Sequence, residues 1–356
     1  MPVPIHYGKI KTDHCPYPKC RPLSREPNPK QQNFRPGLEI FSIKSTKRRI
    51  RGRMGGYRMK FDITAALQKM SRNGLRLDIS GKNGAAAGRF GGLPDVPADF
   101  VWPVFETDTF DDPEKKPRPL SFLAQFDCTV LAPLDTEGLL PAEGVLSFFY
   151  ELGSQAWGFS PENAGCARVY WFPDKTVLSP AVFPQDLEED YRLPPLEIRA
   201  RKETQYPDFQ DFSIAFPDVA HPAYWDESQD GWDVFCEEFE KSREELQKRE
   251  MPDAEAASFH RLLGWPDIIQ NNMTCSCELV SRGHDCGSWK NIPEKDVSEA
   301  EQNSLQDWQL LFQLDSVEYR DFCLDFGDCG SIYFYIRRED LTARRFDRIW
   351  LVLQCY

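Results

Sequence analysis

Residues 326–336 read Phe-Gly-Asp-Cys-Gly-Ser-Ile-Tyr-Phe-Tyr-Ile, a Gly-Asp-x-Gly turn feeding a run of aromatic and β-branched side chains. That composition belongs to a buried strand leaving a tight turn. The segment ahead of it, Trp308–Asp315, is another apolar run and closes on Gln313-Leu314-Asp315. The same pairing occurs earlier. Leu120–Asp127 closes on Gln125-Phe126-Asp127, and Gly144–Tyr150 (GVLSFFY) matches Gly330–Ile336 (GSIYFYI). A third landmark precedes both, Gly92-Leu93-Pro94-Asp95 and Gly264-Trp265-Pro266-Asp267. The landmarks keep their order at offsets of 172, 188 and 186 residues, with Met273–Ala300 placed as an inserted loop that supplies the discrepancy. The chain is therefore read as two degenerate β repeats packed together, over about residues 75–200 and 258–356.

Outward from these landmarks, Phe61–Met70 predicts a helix capped by Asp62 and stopped by Gly74, followed by a half-buried strand through Leu75, Leu77 and Ile79. Ser80–Gly88 reads as a Gly/Ala-rich loop, and Asp108–Arg118 as a charged loop in solvent. Cys166–Phe172 and Leu196–Ala200 continue the strand pattern, with a Pro-rich connection between them. Asp230–Arg249 changes period: Trp232, Phe235, Cys236, Phe239 and Leu246 fall at helical spacing and predict one amphipathic, core-facing helix. Ile349–Tyr356 closes the chain as a strand. The fold class is mainly β (α+β), a single domain over residues 56–356 with flanking helices.

The chain has 356 residues, 41% hydrophobic and 13% aromatic, enough for a sizeable core. No apolar run approaches the roughly 20 residues that cross a bilayer, and the N-terminus has no apolar signal segment, so a cytoplasmic protein with no membrane partner is expected. Charge is segregated. Residues 1–60 hold 15 Lys and Arg against 3 Asp and Glu, which leaves 28 against 53 for the rest. A body this acidic repels phosphate, so no nucleic-acid partner is expected except through the tail. Residues 1–55, with 8 prolines in the first 36 positions, read as a disordered basic extension rather than a nuclear-localisation signal. The 11 cysteines are taken mostly as reduced thiols.

Several spaced motifs agree with one family. Arg-Phe-Gly-Gly-Leu-Pro (89–94), Pro-Leu-Ser-Phe-Leu-Ala-Gln-Phe-Asp (119–127), Trp-Gly-Phe (157–159), His-Arg-Leu-Leu-Gly-Trp-Pro-Asp (260–267), Gly-Asp-Cys-Gly (327–330) and the ending Trp-Leu-Val-Leu-Gln-Cys-Tyr (350–356) resemble the YwqG-like family, a domain of unknown function. The resemblance covers about residues 61–356 and implies a roll-like β fold with flanking helices. It implies no activity and no catalytic residues.

Candidate site residues come from the polar ends of the repeats. Residues i and i+2 of a strand share a face, so Gln125 with Asp127 and Gln313 with Asp315 are expected to line one cleft, joined by His260. The alternative for His260 is a helix end, bonding the last carbonyls before Gly264. Gly91, Gly92, Pro94, Gly264, Pro266, Gly327, Asp328 and Gly330 read as turn residues. Cys275, Cys277, His284 and Cys286 form a C-x-C…H-x-C set that could close a structural zinc site, although the spacing is tighter than C-x₂-C. Free thiols in a polar surface loop is the preferred reading there, with no cofactor. No phosphate loop, nucleophile elbow or Cys/His nucleophile is present. The expectation is a soluble, non-catalytic interaction protein that binds or neutralises a basic protein partner. The alternative is a hydrolase-like enzyme using Asp127 and Asp315 between the repeats.

Overall fold

A computed structural model describes residues 61–220, 229–250 and 259–356. The basic extension expected at residues 1–55 lies outside these. Ten strands form one antiparallel sheet nearly closed into a barrel. In chain order they are β1 (Arg72–Ile79), β2 (Ala85–Phe90), β3 (Ser121–Asp127), β4 (Val145–Tyr150), β5 (Ala167–Phe172), β6 (Leu196–Gln205), β7 (Arg261–Leu263), β8 (Trp308–Asp315), β9 (Ser331–Arg337) and β10 (Trp350–Gln354). The sheet order is β10-β9-β8-β7-β1-β6-β2-β3-β4-β5. The long antiparallel pair β1·β6 forms the centre, with a wing of four strands on either side.

The two wings meet through their rings. Phe148 lies 4.7 Å from Phe312 and 5.3 Å from Phe334, and Phe126 lies 5.4 Å from Phe312, centroid to centroid. These are offset and edge-on contacts among fully buried side chains, so β3 and β4 face β8 and β9 across a filled interior. The barrel is completed by Trp157-Gly158-Phe159 against β10, where Leu353 N donates to Trp157 O at 3.0 Å. Gly158 has φ +81°, and a Cβ there would come within 1.8 Å of Leu351 O. Only glycine fits so close to a neighbouring backbone.

Helices cover the outside. Asp62 caps α1 (Ile63–Lys69), accepting from Ala65 N. Phe61, Phe212, Phe235 and Phe239 join α1 to α3 (Phe209–Ala215) and α4 (Gln229–Glu250), which is the amphipathic helix expected from the sequence. Asp127 caps the one-turn α2 (Cys128–Leu131). Among the described residues no helix is long and apolar enough to cross a membrane.

Four local expectations are corrected. Gly74 does not stop α1, which ends at Met70; Gly74 lies inside β1, where a Cβ would meet the Gln205 side chain at 2.7 Å. The loop expected at Ser80–Gly88 already becomes β2 at Ala85. The expected solvent loop at Asp108–Arg118 belongs to a hairpin pairing Val104–Thr107 with Lys116–Pro119. It is tied down by buried Arg118, which donates to the carbonyls of Thr107, Asp112 and Glu114. Finally, Met273–Ala300 is not an inserted loop. It holds α5 (Met273–Ser281) and the start of α6 (Glu294–Asp307). Every residue of α5 from Met273 to Val280 is buried, so its lack of an amphipathic period conceals a helix packed on all sides. Among the described cysteines seven are free, whereas Cys323 and Cys329 are disulfide-bonded.

Candidate functional site

Each wing carries one polar cluster on its outer face. In the first, Gln125 of β3 lies opposite Arg89 of β2 and Ser147 of β4. Its Oε1 accepts from Arg89 Nη2 at 3.0 Å and from Asp95 N at 3.1 Å. Its Nε2 donates to Asp95 O and to Ser147 Oγ, each at 2.8 Å. Arg89 closes the ring on the Asp95 carboxylate at 2.9 Å. The Gly-Leu-Pro-Asp turn is thus folded over the strand and pinned by the glutamine. Gly92 makes the reversal possible with φ +71°.

The second wing repeats the plan. Gln313 of β8 lies opposite Arg261 of β7 and Tyr333 of β9. Gln313 Oε1 accepts from Asp267 N at 3.0 Å, Arg261 pairs with the Asp267 carboxylate, and Tyr333 Oη donates to Asp267 O at 2.6 Å. Arg261 precedes Asp267 by six residues, as Arg89 precedes Asp95. Even the unusual backbone is shared: Leu263 takes φ +59° where Gly91 has +61°. Sequence reasoning found the glutamines and the turns but missed the arginines, although this recurring Arg-to-Asp spacing was there to be read.

The strand ends differ. Asp127 accepts from Thr129 N at 2.9 Å and pairs with Lys175 Nζ at 2.7 Å. Burial pushes its carboxyl upward, but the bonds from Lys175 and Thr129 outweigh this and hold it below the usual range. Among the described residues no cation pairs with Asp315. It accepts from Ser316 N at 2.9 Å and Ser331 Oγ at 3.0 Å, and burial pushes it up to about 7. His260 lies beside it, before β7 rather than at a helix end. Its Nδ1 accepts from Asp315 N at 3.0 Å, which requires the neutral ring, and burial depresses it to about 3 with Arg261 and Arg76 adding repulsion.

These residues do not converge on one cleft. Side chains alternate along a strand, and Phe126 and Phe312 fill the interior, so Gln125, Asp127, Gln313 and Asp315 point out of it on opposite wings. His260 is bonded to the backbone N–H of Asp315. The proposed zinc ligands each have other contacts. Cys275 contacts Ser304 Oγ, Cys277 is packed among Trp308, Tyr333 and Tyr335, Cys286 approaches Ser276 O, and His284 pairs with Asp296. Burial pushes the Cys275 and Cys286 thiols up to about 12, and Cys277 upward as well. Among the described residues no group of three His, Cys, Asp or Glu side chains is placed to hold a metal. Asp328 is exposed, and the buried turn acid is Asp325, which accepts from Ser316 Oγ at 2.7 Å.

Both polar clusters and the Trp-Gly-Phe seam fall within residues 88–355, the span matched by one family model. The chain belongs to the family described as Domain of unknown function (DUF1963). The family span leaves out α1 and β1, so the centre of the sheet is completed from outside it. No curated protein matches the chain.

One concave feature has no counterpart among the expected sites. A cavity of about 310 Å³ opens on the second wing where β8, β9 and β10 end, beside α5 and α7 (Arg338–Thr342). Trp308, Trp350, Arg337, Arg348, Glu339 and Asp340 line it. Arg337 lies 4.6 Å over the Trp308 ring and is held by Glu278 at 2.6 Å. Both indole N–H groups are already bonded, Trp308 to Glu278 Oε2 at 3.0 Å and Trp350 to Gly158 O at 2.7 Å, so both rings are fixed in orientation.

Proposed function

We propose that this chain is a non-catalytic binding protein whose acidic body recognises a basic protein partner. The observation that carries the reading is charge: outside residues 1–60 the chain holds 53 Asp and Glu against 28 Lys and Arg. Such a surplus draws cationic partners over roughly a Debye length of 8–10 Å. The first half of α4 offers one face for this, with Asp233, Glu237, Glu238 and Glu240 all exposed. The matched clusters of the two wings support reading the sheet as an internal duplication. The hydrolase alternative requires Asp127 and Asp315 in one cleft, and the outward direction of both weighs against it. The test is binding of a Lys/Arg-rich peptide to the full chain at low and high salt, beside the variant with Glu237, Glu238 and Glu240 changed to Lys. The reading expects affinity that falls with salt and falls further in the variant. Salt-independent binding, or turnover of ester or glycoside substrates that Asp315→Asn abolishes, would overturn it.

A further inference from the structure

We infer that the basic run Lys47–Arg53 docks, within its own chain, on the exposed acids of the first half of α4. This rests on the partner reading above and adds a regulator to the same face: a basic partner must displace the run to reach α4.

The helix leaves that face unbalanced. Residues 233–240 hold Asp233, Glu237, Glu238 and Glu240, all exposed, and no Lys or Arg. Among the described residues only Glu240 of the four makes an ion pair, with Arg243 at 3.3 Å. Asp233, Glu237 and Glu240 fall at i, i+4 and i+7, a single stripe on which neighbouring like charges repel. The second half of α4 is different, since Lys248 pairs with Glu244 at 3.0 Å and Lys241 is exposed beside them. A cationic segment laid along the first half relieves the repulsion there.

The chain carries such a segment and tethers it next to the stripe. Lys47-Arg48-Arg49-Ile50-Arg51-Gly52-Arg53 has five cations in seven residues and no acid. Phe61 follows Arg53 by eight positions, a link that spans at most about 26–29 Å. Its far end is anchored on α4 itself. Phe61 packs into the aromatic cluster of Phe235 and Phe239, and Thr64 Oγ1 donates to Ser242 Oγ at 3.4 Å. From Ser242 back to Asp233 the helix rises about 14 Å, so the whole stripe lies inside the reach of the tether. A link this short sets an effective concentration on the order of 1 mM. A contact with a Kd of only about 0.25 mM between separate molecules is then formed about four-fifths of the time within the chain.

A double-mutant cycle on the full chain tests the inference, read by binding of a Lys/Arg-rich peptide at low and high salt. One variant carries Lys47→Gln, Arg48→Gln, Arg49→Gln, Arg51→Gln and Arg53→Gln. The other carries Glu237→Gln, Glu238→Gln and Glu240→Gln. At low salt the tail variant should bind the peptide about fivefold tighter than the native chain, because the run no longer competes. In the α4 variant the same five changes should alter affinity by less than about twofold. A gain of equal size in both backgrounds reports net charge alone and overturns the inference. Zero-length carbodiimide cross-linking reads the contact with no peptide present. Lys47 should join Asp233, Glu237 or Glu238 of the same chain, with a yield that is unchanged on dilution and lost at high salt. Cross-links formed only between chains, or only to carboxylates outside α4, overturn it. A peptide whose binding the α4 variant leaves unchanged, beside an intact cross-link, instead overturns the partner reading and leaves the contact standing.

Discussion

The two wings of the sheet share a plan of pinned turns and differ in what lies over them. Over the first wing lie loops and an aromatic cluster of Phe100, Trp102 and Phe149. Its Arg89 side chain is 33% exposed against 8% for the counterpart Arg261, while Asp95 and Asp267 are equally exposed at 36%. On the second wing α5 packs over Trp308, Leu310 and Tyr335, and Gln313 under the Asp267 turn is fully buried. The same aspartate at the same strand end is consequently an ionised cap in one wing and a proton-holding carboxyl in the other. Cover, rather than residue type, decides the chemistry.

The interior joining the wings is the first place to break this relation. Phe312 meets three rings from both wings, so Phe312→Ala should cost about 3–5 kcal/mol in urea unfolding, losing transfer energy and leaving a cavity. Gly158→Ala attacks the seam instead. A Cβ 1.8 Å from Leu351 O at φ +81° should cost on the order of 3 kcal/mol and part the Trp-Gly-Phe segment from β10, read as faster amide exchange at Leu353.

The strand-end acids sharpen the comparison through pH. Folded Asp315 keeps its proton to about pH 7, whereas the unfolded carboxyl loses it near 3.8, so this group's contribution to stability falls as pH rises through that window. His260 runs the other way. Its ring is depressed from 6.5 to about 3, so its contribution is present above pH 6.5 and is lost as pH falls. Between about pH 4 and 6.5 the two oppose each other. Asp315→Asn should therefore stabilise the protein by on the order of 1–3 kcal/mol at pH 8 and steepen the loss of stability on acidification, measured by thermal unfolding across pH. Asp127→Ala removes a helix cap and a partly exposed ion pair, and should cost only about 1 kcal/mol at pH 7. An equal pH response in the two variants would erase the distinction between the wings.

Much of the frame was legible in the chain. Asp62 announces α1, the alternation of Leu75, Leu77 and Ile79 announces β1, and Gly-x-Pro-Asp marks both turns. These signals are local: a cap, a period of two and a positive φ each act within a few residues. Reading failed where the deciding partner was distant. The buried helix α5 showed no period because it is covered all round, and Gly74 looked like a stop because Gln205, which needs its missing Cβ, lies far along the chain. The expected cleft failed for a related reason. Alternation places Gln125 and Asp127 on one face but does not say which face the other wing fills.

The sequence by itself determined most strands of the sheet, though not β2 or β7, and the recurrence of Gln125 and Asp127 in Gln313 and Asp315, since these follow from residue spacing. The tertiary structure decided what those residues do. Asp315 is pushed upward because burial keeps water from it, with a histidine 55 residues away bonded to its backbone N–H, and Asp127 is held below the usual range because Lys175 and Thr129 reach it. The Trp308–Trp350 groove likewise exists only where three strand ends and two helices meet, and desolvation and approach of that kind are properties of the folded chain.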